Sequence, residues 1–448
     1  MAITGSESTP LIKTPIPGPR AKAIIKRDEQ FMMTTTKTAP LVGHEARGAV
    51  VEDVDGNRLL DFASGIGVLN TGHCHPKVVA AVQDQAARLM HFAGTDFYYD
   101  VQTRLAERVT KKVPIPGRSK LFYCQSGTEA NEAAIKIAKA GTGRPLFLAF
   151  LGAFHGRTQG SLALTASKTK HKQAFFGMMG GVTHVPFPNP YRNTWRIDGY
   201  ADPAELSNRA MEYLEGILDT VVPPQDVAGL FWEPVQGEGG YVVPPKMFPG
   251  ALRKLCVTHG IQLIADEVQT GFGRTGKWFA TEHYGIEADI VTVAKAMGSG
   301  FPIGATIARA DLDYKEKGRH SNTYGGNLVG CAASMATMDV IEEEDLVRNS
   351  ARMGDRMGRQ MQEMMDGHEG VGDHRGLGLM RALEFVTREG APDPKLRDAV
   401  EQQAWKRGLI TLGCGKSSLR VIPPLNVTRE QVDGGMAVLR EALSAAKA

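Results

Sequence analysis

The chain has few cysteines, no long apolar run and almost no net charge, and each scarcity removes a class of protein. Its five cysteines (Cys74, Cys124, Cys256, Cys331, Cys414) are odd in number and far apart in a chain of 448 residues. That pattern argues against a disulfide framework and for a reducing compartment, so a cytoplasmic location is expected. No apolar run approaches the roughly 20 residues that span a bilayer. The first twenty residues are rich in Thr and Pro and lack the apolar stretch of a signal peptide; they are expected to be flexible or draped over a partner. Lys and Arg number 52 against 49 Asp and Glu, a formal charge of +3, and the cations are scattered. Neither nucleic acid nor an anionic membrane is expected as a partner, which leaves small molecules.

What is present is a 42% hydrophobic content, enough to bury a large core in two or three domains. Short apolar runs alternate with longer helical patterns, the signature of an α/β protein with a largely parallel sheet. Strands are predicted at 121–124, 145–150, 227–232, 261–265 and 290–293, each running into Gly or a charged polar group at its carboxyl end. Ligands of open parallel sheets sit beyond those ends, so the residues just after the runs are the candidates for chemistry. Helical spacing appears at 133–140 and in the Met-rich stretch 353–365, which reads as packing. No internal repeat stands out.

Ser126-Gly127-Thr128 follows the first run and leads into a helix. Free backbone N–H groups, two hydroxyls and the positive end of a helix suit a phosphate there. The same residues also fit a plain N-cap by Ser126 or Thr128. Asp266 stands where the run 261–265 opens, and a carboxylate at such a place needs a cation or several donors. A protonated ring nitrogen of a ligand would serve, and so would the Asp's own loop or Arg274. Lys295 closes the run 290–293 among mostly apolar neighbours. Desolvation depresses the pKa of such an amine and favours the neutral nucleophile that forms a Schiff base. The alternative is a lysine that snorkels to the surface. Gly298, Gly300 and Gly304 would let backbone approach a ligand closely.

These residues, with Asn70-Thr71-Gly72-His73-Cys74-His75-Pro76, Phe154-His155-Gly156-Arg157-Thr158, Glu233-Pro234-Val235-Gln236-Gly237-Glu238-Gly239-Gly240 and Asp266-Glu267-Val268-Gln269-Thr270-Gly271, carry a family resemblance. From Gly18 to the C-terminus the chain resembles the class III aminotransferases, the ω-aminotransferase branch of the fold type I pyridoxal-phosphate enzymes. It is most similar to their 4-aminobutyrate, ornithine and acetylornithine members. The resemblance implies pyridoxal 5'-phosphate bound to Lys295, with Lys295 and Asp266 as the catalytic pair. It places Ser126, Gly127 and Thr128 at the phosphate, Phe154 on the ring, Asp266 at the ring nitrogen and Gln269 at the phenolic oxygen, with His155 and Glu233 as further cofactor-binding residues. Thr323 resembles the threonine that reaches the phosphate of the neighbouring subunit, which implies a homodimer or a dimer of dimers.

For substrates, the resemblance assigns Arg157 to the carboxylate of an ω-amine substrate and Arg420 to the α-carboxylate of glutamate. Glu238 covers Arg420 when the ω-amine is bound, and Ile66, in 65–68, lines the entrance. The implied reaction moves an amino group from an ω-amine or amino acid to 2-oxoglutarate by a ping-pong route. The implied fold is a large domain (66–329) around a seven-stranded, mainly parallel sheet, and a smaller α+β domain from both chain ends (1–65 and 330–448). One rival is an amino-acid racemase, because 186–192 and 243–245 look like those of an archaeal subgroup that contains racemases. The other is a non-catalytic assembly protein. His73, Cys74 and His75 read as the family's turn rather than a metal site, and Glu342 to Asp345 as a solvated helix face.

Overall fold

A computed structural model describes residues 3–175 and 177–446. The outermost residues of the expected small domain, Met1, Ala2, Lys447 and Ala448, lie outside it. Three antiparallel strands come first: β1 (Gly43–Arg47), β2 (Val50–Asp53) and β3 (Arg58–Asp61). The Thr/Pro-rich start drapes over this sheet of its own chain. Leu11 and Arg58 exchange backbone hydrogen bonds of 2.9 Å, and Asn57 Oδ1 accepts from the N–H groups of Lys13 and Thr14.

The central sheet contains β4 (Ser119–Cys124), β5 (Leu146–Phe150), β6 (Val182–Val185), β7 (Val227–Trp232), β8 (Gln262–Asp266), β9 (Ile290–Val293) and β10 (Gly304–Arg309), in the order β4-β10-β9-β8-β7-β5-β6. Only β10 runs against the others, pairing antiparallel with both β4 and β9. Strands β7, β8 and β9 are buried along their whole length. Their near-continuous apolar sequence follows from that, since both faces are covered. The helix Gly127–Thr142 packs on β9 and β10 with Ala130, Ala133, Ala134 and Ala138 inward. These small residues bring its N-terminus close to the strand ends.

The remaining strands are β11 (Val371–Leu377), β12 (Met380–Phe385), β13 (Leu409–Ile410), β14 (Leu412–Cys414) and β15 (Ser418–Val421). β13 joins β3 in the first sheet, tying the two chain ends together, and the others form the sheet β11-β12-β15-β14. Met353, Met357, Met361 and Met364 are buried on the helix Leu346–Gly367, which packs on β11. The expected seam at 329/330 falls inside the helix Leu328–Glu343, which packs on the helix Pro76–Arg88.

Glu342 to Asp345 are exposed, as expected, but all four are also paired, Asp345 with Arg348 at 3.8 Å. Glu342 meets Arg108 and Lys112, Glu343 meets Lys77, and Glu344 meets His75. Arg108, Lys112 and Lys77 offset acidic charge at a helix C-terminus, where the macrodipole disfavours it. Among the described residues no helix is long and apolar enough to cross a membrane.

Candidate active site

The carboxyl ends of β4, β5, β7, β8 and β9 converge on a cavity of about 450 Å³. Most of the residues expected at the site line it: Ser126, Gly127, Thr128, Phe154, His155, Arg157, Glu233, Glu238, Asp266, Gln269 and Lys295. Arg420 lies just behind Glu238. Ile66 is exposed beside the lining residue Val68, at φ +68°, and Thr323 is exposed in a loop whose Tyr324 carbonyl accepts from the lining residue Gln125.

Asp266 is the last residue of β8, one position earlier than a loop residue would be, and it is nearly buried. Its Oδ2 accepts from His155 Nδ1 at 2.7 Å and from Asn131 Nδ2 at 2.9 Å, and its Oδ1 accepts from the Val268 N–H at 3.0 Å. Thr292 Oγ1 donates to Asn131 Oδ1 at 2.9 Å and so fixes the orientation of that amide. Arg274 is not a partner of Asp266. It lies buried elsewhere, reaching Leu379 O at 3.1 Å and Asn70 Oδ1 at 2.6 Å. Burial opposes a charge on His155, but its bond to Asp266 outweighs this and holds its pKa above the ordinary value. Glu233 is raised, chiefly by burial. Its oxygens accept from the N–H groups of Phe154 at 2.9 Å and Gly237 at 2.8 Å, and so fix the backbone on two sides of the cavity.

Lys295 follows β9 with φ +43°, a conformation that costs a non-glycine residue energy and that clusters at functional sites. It lines the cavity instead of snorkelling away. Burial lowers its pKa, against the fields of Asp266 and Glu233, and so enriches the neutral amine.

Ser126 does cap the helix, accepting from the Glu129 N–H at 3.4 Å and donating to its carboxylate at 3.0 Å. Beyond the cap, the N–H groups of Gly127 and Thr128 have no acceptor within the described chain, so the cap and an anion site coexist. A Cβ at Gly127 would stand 2.7 Å from Val268 Cγ1, which excludes any larger residue without movement. The Thr128 hydroxyl is already engaged, with Thr158 Oγ1 at 2.8 Å and Ser161 Oγ at 2.5 Å.

Opposite this floor is a charged rim. Arg420, on β15, is 4% exposed and donates from Nη2 to Glu238 Oε2 at 2.7 Å and to Gly413 O at 2.8 Å. Its guanidinium lies 5.9 Å from the centre of the Tyr241 ring, and Tyr241 donates its hydroxyl to Gln269 Oε1 at 2.7 Å. The second oxygen of Glu238 meets Lys168 Nζ at 2.8 Å. Burial would raise the pKa of Glu238, but Arg420 and Lys168 hold it below the ordinary carboxylate value. Arg157 lies over the Phe154 ring at 5.7 Å and forms no ion pair among the described residues. Sequence reading missed Asn131, Lys168 and Tyr241 as site residues. Asn131 lies three residues beyond Ser126-Gly127-Thr128, whereas Lys168 and Tyr241 carry no local signal.

The family model of the class-III aminotransferases matches residues 32–443, and the chain belongs to that family. It is 41% identical to the 5-aminovalerate aminotransferase DavT of Pseudomonas aeruginosa, over 90% of this chain and 93% of that one. It is 38% identical to an alanine/serine racemase of Pyrococcus horikoshii, over 97% and 92%. Among solved structures, an amine transaminase from an uncultivated Pseudomonas species in its PLP-bound form superposes with a TM-score of 0.86. That pair is 29% identical and covers 93% of this chain and 98% of the other. The fold is that of the fold type I transaminases, and the cofactor is pyridoxal 5'-phosphate. The residues present fit it: two unclaimed N–H groups for a phosphate, a buried carboxylate for a ring nitrogen, an aromatic ring and a lysine of lowered pKa line one cavity.

Proposed function

We propose that this aminotransferase takes its amino group from an ω-amino acid, such as 4-aminobutyrate, 5-aminovalerate or ornithine, and gives it to 2-oxoglutarate in two alternating half-reactions. What supports this above all is Glu238, whose two oxygens hold Arg420 and Lys168 at once. With Arg420 covered, Arg157 is left as the open cation beside the cavity. A donor with a single carboxylate far from its amine needs one such cation, with the amine near Lys295. A dicarboxylate needs a second, and Arg420 becomes available when Glu238 turns away.

The bound cofactor supplies an electron sink for charge on the carbon that bears the amine. Lys295 Nζ would hold the cofactor and then take the proton from that carbon. Asp266, oriented by its donors, would hold the ring nitrogen's proton. The N–H groups of Gly127 and Thr128, beside Ser126, would bind the phosphate, Phe154 would cover the ring and Gln269 would meet the phenolic oxygen. His155 positions Asp266, and Glu233 positions the backbone under Phe154.

The reading extends to a homodimer or dimer of dimers, in which Thr323 reaches the phosphate of the neighbouring site and Ile66 lines the entrance. Its support is the exposure of Thr323 and of a run of large apolar side chains, Met90, Phe92, Tyr98 and Tyr324. The gate would then span the large domain at 66–329, which carries Glu238, and the small domain at 330–448, which carries Arg420. All five cysteines are free, which supports the cytoplasmic reading.

A second reading, as an α-amino-acid racemase, is favoured by the likeness to the Pyrococcus horikoshii protein. One experiment separates the two. 4-Aminobutyrate, 5-aminovalerate and ornithine are offered with 2-oxoglutarate, and inversion of alanine and serine is followed in the absence of any keto acid. Glutamate formed at the expense of an ω-amine supports the proposal. Inversion without transfer overturns it in favour of the racemase.

A further inference from the structure

One face of the β11-β12-β15-β14 sheet carries two arginines in a row. Register sets Arg375 of β11 opposite Ala382 of β12, and Ala382 opposite Arg420 of β15. Residues opposite one another share a face, so the buried Ala382 is the only spacer between the two cations.

Their partners differ in kind. Arg375 Nη1 lies 2.7 Å from Asp373 Oδ2 and 2.7 Å from Glu384 Oε2, two carboxylates of the same sheet. Those acids are held from outside as well, Asp373 by the Tyr200 hydroxyl at 3.0 Å and Glu384 by Arg192. Arg375 is therefore already paired with two carboxylates and makes no ion pair with Glu238. Arg420 pairs with Glu238 alone among the described acids.

Both arginines nevertheless reach one loop, 237–241. Arg375 Nε donates to Gly240 O at 2.9 Å, and its Nη2 donates to Ser418 Oγ at 2.9 Å, on the strand of Arg420. Glu238 O accepts from the Gly415 N–H at 2.8 Å. Gly240 sits at φ +120°, and a Cβ there would stand 2.9 Å from Arg375 Nη2 and 3.0 Å from Ser418 Oγ. Only glycine lets the backbone lie this close. The loop is thus fastened at positions 238 and 240, while the Glu238 side chain is left to exchange partners.

We propose that Arg375 is a positioning residue for substrate selection, pinning the backbone of 237–241 to the sheet so that Glu238 uncovers Arg420 by a side-chain turn alone. The inference rests on the gating reading of Glu238 and deepens it. A loop released from Arg375 would drift and carry Glu238 off Arg420, leaving that arginine open to α-carboxylates when an ω-amine should occupy the site.

Two variants test it. Arg375→Lys keeps a charge for Asp373 and Glu384 but cannot span Gly240 and Ser418 together. Gly240→Ala changes no charge of the cluster and places a methyl group where backbone and guanidinium meet. Each holoenzyme, with and without Glu238→Gln, is followed in single-turnover half-reactions with 5-aminovalerate and with glutamate. Glutarate binding is measured by calorimetry, without turnover. The expected result is about a tenfold loss in the 5-aminovalerate half-reaction against at most about twofold with glutamate. Glutarate should bind as well as before or more tightly, and the ratio of half-reactions should not change further once Glu238→Gln is present. Equal losses in both half-reactions, or ratio effects that add to those of Glu238→Gln, overturn the role of Arg375 and leave the gate standing. A wild-type ratio in Glu238→Gln overturns the gate and this inference with it. If Arg375→Lys does not fold, Gly240→Ala decides alone, and a wild-type ratio in that variant overturns the proposal.

Discussion

The floor and the rim of the cavity each hold a largely buried carboxylate, and they hold it by opposite means. At the floor, Asp266 receives hydrogen bonds from His155, Asn131 and its own loop, and Asn131 stands on a helix with its amide held by Thr292. At the rim, Glu238 divides its oxygens between Arg420 and Lys168, and the lysine is 36% exposed. A carboxylate fixed by directional donors keeps one geometry. A carboxylate shared between two cations can leave one without losing the other, which is what a gate requires. Damage at the floor should therefore cut both half-reactions alike, and damage at the rim should split them.

The largest effect is expected for Lys295→Ala. Without the amine that moves the proton, turnover should fall about 10⁴-fold with either substrate, measured by steady-state assay at saturating cofactor. Wild-type rates in this variant would remove Lys295 from the chemistry. Asp266→Asn should come next, with kcat lower by about 10²–10³-fold in both half-reactions because the charge at the ring nitrogen is gone. If only cofactor affinity changed, Asp266 would be structural and the floor would hold no more than shape. Gly127→Ala brings a methyl group to 2.7 Å from Val268 Cγ1, so cofactor affinity should weaken about tenfold with kcat at saturation kept. A titration of the apoenzyme with cofactor reads this directly.

The smallest effect expected is one of pH on the rim. The pKa of folded Glu238 lies below its ordinary 4.5. Its pairing therefore adds stability above that value, and the contribution is lost only as pH falls through the lowered one. The preference for ω-amines over α-amino acids should stay flat as pH is lowered towards 4.5 and decline only in stronger acid. A decline centred between pH 6 and 8 would point to His155 or Glu233 instead, and would erase the distinction between floor and rim.

Much of the floor was legible in the sequence because strand ends announce themselves locally. Strands β7 and β9 fall where the apolar runs lie, and β8 is displaced by a single residue, which makes Asp266 its last member. The run 304–309 gave no such signal. Only its first residue, Gly304, stands out, as one of the glycines after Lys295, yet the run is β10, because strand direction depends on neighbours far along the chain. The acidic stretch 342–345 hid its cations for the same reason, since Lys77 and Arg108 come from distant helices. Lys168 meets Glu238 seventy positions later in the chain, and no periodicity or motif joins them. Arg375 is less visible still, because its role depends on the register of three strands.

The central claim, that Glu238 decides which carboxylate the enzyme accepts, is tested most directly by Glu238→Gln in single-turnover half-reactions with 4-aminobutyrate or ornithine and with glutamate. Neutral glutamine cannot cover Arg420 electrostatically, so the ω-amine half-reaction should slow about tenfold more than the glutamate one. Equal loss in both would contradict the account and leave Glu238 as an ordinary salt-bridge partner.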